Sequence, residues 1–168
     1  MRKSAKPLLF MDIDGVLSLY GFQSDSRPEG QWLNVDGILH LISGTAAGHL
    51  HRLDATYELV WCSGWEEKAN EHLLTALVLP APLPFLTFSA GPGAPHWKLP
   101  AIEEHAGDRP LAWVDDAHDD ACRAWAAERT APTLLVPTDP PTCLTDAHVD
   151  ELLAWGAQWA YPVDGSHS

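Results

Sequence analysis

Two aspartates, Asp12 and Asp14, stand where a short apolar run, residues 8–11, gives way to Ile13, Gly15 and Val16. In an extended chain residues i and i+2 share a face, so two like charges meet there. Such a pair is stable with a cation between its members or a proton on one of them. The chemistry this offers is metal binding, or nucleophilic and acid–base work by carboxylates. A second pair, Asp115-Asp116, closes another apolar run, residues 111–114. Between the pairs come Ser63-Gly64, ahead of a helical stretch opening at Glu66, and Lys98, ahead of one opening at Leu99. A hydroxyl at a strand-to-helix junction, with helix amides free behind it, suits a phosphate oxygen. A lysine near several carboxylates and a dianion offsets their repulsion.

Taken singly, each feature has a plainer explanation: a solvated turn, a helix cap, a surface lysine, an acidic loop. Their order argues for more, and it depends on the elements that carry them. Five apolar runs, 7–11, 59–62, 85–88, 111–114 and 133–136, read as strands, and their unbroken apolar character predicts cover on both faces, as in a parallel sheet. Helical stretches are expected at 44–53, 66–79, 99–106, 119–129 and 146–160, the last with Thr145 as N-cap. Strand followed by helix, repeated, gives an α/β fold. The expectation is a doubly wound, Rossmann-like, five-stranded parallel sheet in the order 5-4-1-2-3, counting the strands along the chain. That order brings together the first, second and fourth strands, whose C-terminal ends deliver the polar groups. Residues 1–168 are read as a single domain with a core over about 7–160 and a polar, fraying tail at 162–168.

The ordered set resembles the haloacid dehalogenase superfamily over residues 8–136: Asp12-x-Asp14-Gly15-Val16 as its first motif, Ser63 as its second, Lys98 as its third and Asp115-Asp116 as its fourth. The resemblance implies that Asp12 is the nucleophile and that Asp14 protonates the leaving group and later deprotonates water. It implies that Ser63, Gly64 and Lys98 bind the phosphoryl oxygens. Mg2+ would be held by Asp12, the backbone carbonyl of Asp14, and one or both of Asp115 and Asp116. The words Val60-Trp61-Cys62-Ser63-Gly64-Trp65-Glu66-Glu67, Ala69-Asn70 and Trp113-Val114-Asp115-Asp116 also resemble a group within that superfamily associated with RNA-repair proteins. The expected function is a Mg2+-dependent phosphohydrolase working through an aspartyl phosphate, on a nucleotide or nucleic-acid terminal phosphate. A small-molecule phosphatase or phosphotransferase, and a non-catalytic module keeping the fold, are the alternatives.

Enzymes of that superfamily usually carry a cap domain after the first motif or between the second and third. Neither 16–62 nor 64–97 has room for one once a flap, a helix and a strand are placed there, so no cap and an open site are expected. The flap, 18–35, offers Tyr20, Phe22, Arg27 and Trp32, which either pack it onto the domain or stack on a base. Trp65 and Trp97 flank the second and third motifs and pose the same choice. A formal net charge of -13, from 23 acidic and 10 basic residues, repels phosphate-rich polymers at long range, although bound metal can invert the sign inside a cleft. Cys62, Cys122 and Cys143 have neither an even count nor a C-x-x-C spacing, which fits a reducing compartment. With no apolar run long enough for a signal peptide core or a membrane span, a cytoplasmic protein with no membrane partner is expected. His49, His51 and His118 lack the spacing of zinc ligands, with His118 placed nearest the site edge.

Overall fold

A strand that is apolar on both faces needs cover on both faces, and the computed structural model, which describes residues 6–89 and 96–160, supplies it. Strand β1 (Leu8–Met11) is wholly buried. Its register runs parallel to β5 (Glu58–Trp61), with Leu9 opposite Leu59, and to β6 (Leu111–Asp115), with Leu9 opposite Ala112. Strand β7 (Thr133–Pro137) pairs in parallel with the outer side of β6. The sheet therefore has four strands in the order β5-β1-β6-β7, with β1 inside.

Period-2 alternation divides the core between the two faces. Leu9, Met11, Leu59, Trp61, Ala112 and Val114 pack with residues of α1 (Ala46–Asp54), α2 (Lys68–Ala76) and α5 (Asp146–Trp159). Leu8, Phe10, Val60, Leu111 and Trp113 pack with α3 (Leu99–Ala106) and α4 (Asp120–Glu128). Helices thus cover both faces of a parallel sheet. Thr145 caps α5 as expected: its hydroxyl accepts from the His148 amide while the His148 ring accepts from the Thr145 amide.

The third of the expected strands, at 85–88, which would have completed the order 5-4-1-2-3 at one edge, is a single parallel bridge between Trp61 and Phe85. Two hydrogen bonds make it: Trp61 N–H to the Pro84 carbonyl (2.8 Å) and Leu86 N–H to the Trp61 carbonyl (2.9 Å). Beyond it the chain turns at Ser63-Gly64, and the next amide on that side, Phe88 N–H, donates to the Glu66 carboxylate at 2.9 Å. Side-chain capture of that amide ends the ladder. Glu66 has a left-handed backbone, φ 49°, which delays α2 from the expected 66 to Lys68.

The flap is larger than expected and runs to residue 43. Strands β2 (Ser18–Leu19), β3 (Gly30–Val35) and β4 (Ile38–Ser43) form a separate antiparallel sheet in the order β2-β4-β3. The β3–β4 turn is Asp36-Gly37, with φ 53° and 87°, the handedness that a two-residue hairpin demands. Asn34 Oδ1 accepts from the Gly37 amide at 2.8 Å, and Asp36 pairs with Lys68, tying the hairpin tip to α2. No helix among the described residues is long and apolar enough to cross a membrane. The polar tail at 162–168 lies outside the described residues.

A Cβ at Gly37 would meet nothing within 4 Å, so its left-handed backbone is the whole argument for glycine there. Gly37→Ala is expected to cost about 1–2 kcal/mol in urea unfolding. An unchanged midpoint would show that the turn is not left-handed.

Candidate functional site

Parallel pairing sets the C-terminal ends of β5, β1 and β6 side by side, and two backbone bonds continue the register past the strands: Cys62 N–H to the Met11 carbonyl (2.7 Å) and Asp12 N–H to the Val114 carbonyl (3.0 Å). The residues that follow are therefore neighbours. Asp12, Asp14, Ser63, Gly64, Lys98, Asp115 and Asp116, all singled out in the sequence, line one cleft of about 450 Å³. Tyr20, Trp65, His96, Trp97 and Ala117 complete its wall.

Lys98 is the electrostatic centre. Its Nζ lies 2.6 Å from Asp115 Oδ2 and 3.3 Å from Asp12 Oδ1, and the lysine side chain is 4% exposed. Burial disfavours the ammonium, but the two carboxylates outweigh it and hold its pKa above the ordinary lysine value. For Asp12 the balance tips the other way. Burial pushes its carboxyl well above the usual range, Lys98 opposes this, and repulsion from Asp115 adds to it. One ammonium does not fully compensate two buried carboxylates.

The remaining site residues are fixed by short-range contacts. Asp115 Oδ1 accepts from the Ala117 amide at 2.9 Å. Asp116 Oδ2 accepts from the Tyr20 hydroxyl, a bond that raises the phenol's pKa and keeps it a donor. Gly15, φ 79°, is needed both for its backbone and for space, because a Cβ there would stand 2.4 Å from Asp116 Oδ2. The Thr138 hydroxyl holds the Gly15 carbonyl at 2.7 Å. Ser63 is 2% exposed, and its Oγ accepts from the Trp65 amide at 3.2 Å. That contact caps the turn and leaves the hydroxyl hydrogen to donate elsewhere. Asp14 stands apart from Lys98: Trp65 Nε1 donates to its Oδ2 at 3.1 Å, and His40 Nδ1 lies 3.4 Å from its Oδ1.

Asp12, Asp115 and Asp116 each bring a carboxylate oxygen within 4.8 Å of the others, so this buried acidic cluster can hold a metal ion. An all-oxygen donor set with excess negative charge fits a hard divalent cation such as Mg2+. The Asp14 carboxylate does not belong to that set, which leaves its backbone carbonyl as the group it has to offer. His96, Asp119 and Cys122 also bring donors within 4.8 Å of one another. There, however, Asp119 caps α4, His96 Nδ1 accepts from the Lys98 amide, and burial pushes the Cys122 thiol up to about 11, so it keeps its proton.

Other residues singled out in the sequence are structural. His49 Nε2 bonds Asp146 Oδ1 at 3.0 Å, joining α1 to the start of α5. His118 packs edge-on against Trp113 at 4.6 Å outside the cleft wall, and burial lowers its pKa to about 4. Of the flap residues named, Tyr20 reaches the cleft. Phe22 packs on Leu19, Leu41 and Cys143, and Arg27 lies over the Trp32 ring at 5.8 Å. Sequence reasoning missed His40 and Thr138. An Asp36-Gly37 hairpin signal, read as such, would have put β4 and His40 on the flap. Neither protein-family models nor curated proteins give a significant match to the chain.

Removing one buried charge from an undercompensated cluster relieves repulsion. In metal-free buffer at neutral pH, Asp12→Asn is expected to stabilise the full chain by on the order of 1 kcal/mol. Added Mg2+ should raise the melting temperature of the wild type and shift the variant less. A destabilised variant, or equal Mg2+ shifts for both, would contradict the charge balance described.

Proposed function

We propose that this chain is a Mg2+-dependent phosphohydrolase of the haloacid dehalogenase type, acting on a nucleotide or nucleic-acid terminal phosphate. The observation that carries the reading is convergence: Asp12, Ser63, Lys98 and Asp115-Asp116, from four separate segments, line one cleft at the carboxyl edge of a parallel sheet.

In the first step a carboxylate oxygen of Asp12 forms a bond to phosphorus as the bond to the leaving oxygen breaks, and Asp14 gives that oxygen a proton. In the second, Asp14 takes a proton from water, the water oxygen bonds to phosphorus, and Asp12 leaves as a free carboxylate. Asp12, Asp115, Asp116 and the Asp14 carbonyl would hold Mg2+, which would supply the positive charge needed for a dianion to approach a carboxylate. Lys98 opposes the burial that disfavours the Asp12 carboxylate and offsets charge on the transferring group. The Ser63 hydroxyl and the Gly64 amide are the donors for its non-bridging oxygens.

The substrate reading rests on the rim. Tyr20 and Trp97 line the cleft while 47% and 42% exposed, and no cap domain stands over them in the described residues. Exposed aromatic faces at an open phosphate site suit a base, at on the order of 1–3 kcal/mol per stacked base. The Arg27–Trp32 pair lies outside the cleft wall and adds nothing at the reacting phosphate.

Asp12→Asn is expected to lower turnover by at least about a thousandfold, because an amide forms no acyl phosphate, and chelation of Mg2+ should abolish wild-type activity. Turnover within about tenfold of wild type would remove Asp12 from the nucleophile's role. For a terminally phosphorylated oligonucleotide, kcat/KM should exceed that for a sugar phosphate by roughly ten- to a hundredfold per stacked base, and Trp97→Ala should erase most of that gain. Equal values for both substrates would favour a small-molecule phosphatase.

A further inference from the structure

Asp14 raises a problem of position. Its side chain is 48% exposed, it takes no part in the Lys98 network, and a carboxylate free to rotate in solvent makes a poor proton donor. Two rings hold it. The Trp65 indole N–H donates to Oδ2 at 3.1 Å, and His40 Nδ1 lies 3.4 Å from Oδ1 and 3.3 Å from Ser18 Oγ. The rings pack against each other with centroids 4.8 Å apart, and the imidazole side chain is 16% exposed. The rings therefore brace each other: the indole hydrogen-bonds one oxygen of the carboxylate, and the imidazole, hydrogen-bonded to Ser18, stands within ion-pair distance of the other.

The two rings come from different parts of the fold. His40 sits on β4 of the flap, opposite Leu33, and the hairpin tip is anchored to α2 through Asp36 and Lys68. Trp65 follows Ser63 directly on the phosphate-binding turn, where its amide bonds the Ser63 hydroxyl oxygen. One residue thus links phosphate binding to the acid–base group, and the flap closes the other side.

We propose that His40 and Trp65 are positioning residues that clamp the Asp14 carboxylate toward the leaving-group oxygen, so that the flap does here what a closing cap would otherwise do for proton transfer. The inference rests on the phosphohydrolase reading and deepens it. A clamp on a proton donor has a signature that structural support lacks: its loss matters in proportion to how badly the leaving group needs a proton.

The test uses the full chain with Mg2+ and three esters of decreasing leaving-group acidity: p-nitrophenyl, phenyl and benzyl phosphate. For His40→Ala and Trp65→Phe, checked for folding by thermal melting, kcat/KM, which reports the step in which the leaving group departs and not the later attack of water, should fall on the order of 10- to 100-fold for benzyl phosphate. For p-nitrophenyl phosphate kcat/KM should fall by about threefold or less. His40→Gln, which keeps a donor, should recover most of the loss. In an Asp14→Asn background His40→Ala should add nothing further. Equal losses for all three esters, or full additivity with Asp14→Asn, would overturn the clamp and leave the phosphohydrolase reading standing. A wild type that hydrolyses neither these esters nor a terminally phosphorylated oligonucleotide would overturn both.

Discussion

Asp12, Asp115 and Asp116 converge at the end of the sheet, where Lys98 is the one lysine or arginine among the described residues lining the cleft. Buried like charges repel strongly because little water screens them. The neighbouring structure answers to that repulsion. Lys98 is inserted between two of the carboxylates, the Ala117 amide and the Tyr20 hydroxyl take up lone pairs on Asp115 and Asp116, and Gly15 gives up its side chain so that Asp116 can fit. What stays uncompensated keeps Asp12 hard to ionise, and a divalent cation is the simplest remedy.

The same constraint explains why Asp12 and Asp14 differ in their surroundings. Asp12 follows β1 inside the Lys98 network, whereas Asp14 lies two residues on, beyond the sheet, beside the Trp65 indole and the His40 ring. Two carboxylates so close in sequence thus occupy electrostatically different surroundings, as the proposed roles of nucleophile and proton donor require. The three-stranded flap supplies one wall of Asp14's surroundings, and its Tyr20 reaches across to Asp116.

Much of this was legible in the chain because it is local and periodic. The unbroken apolar runs ending in Asp12, Cys62 and Asp115 announced buried parallel strands, and the residues after them had nowhere to project but the carboxyl edge. What escaped was non-local. Residues 85–88 have strand composition, yet the capture of the Phe88 amide by Glu66, 22 residues away, cancels the ladder. His40 looked like any histidine in an apolar stretch, because its meaning comes from Trp65 and Asp14, which only the packed flap brings to it. Arg27 and Trp32, promising beside each other in sequence, pair on the outside of the flap.

The central claim, that Asp12 is a carboxylate made ready for a phosphoryl group by its surroundings, can be tested without knowing the substrate. Beryllium fluoride forms a tetrahedral mimic of a phosphoryl group on an aspartate that is accessible, ionised and next to bound Mg2+. Fluorine NMR of the full chain with beryllium fluoride should show a protein-bound signal that requires Mg2+ and disappears in Asp12→Asn. A wild type with no bound signal at saturating Mg2+, or a signal that persists in Asp12→Asn, would contradict the account.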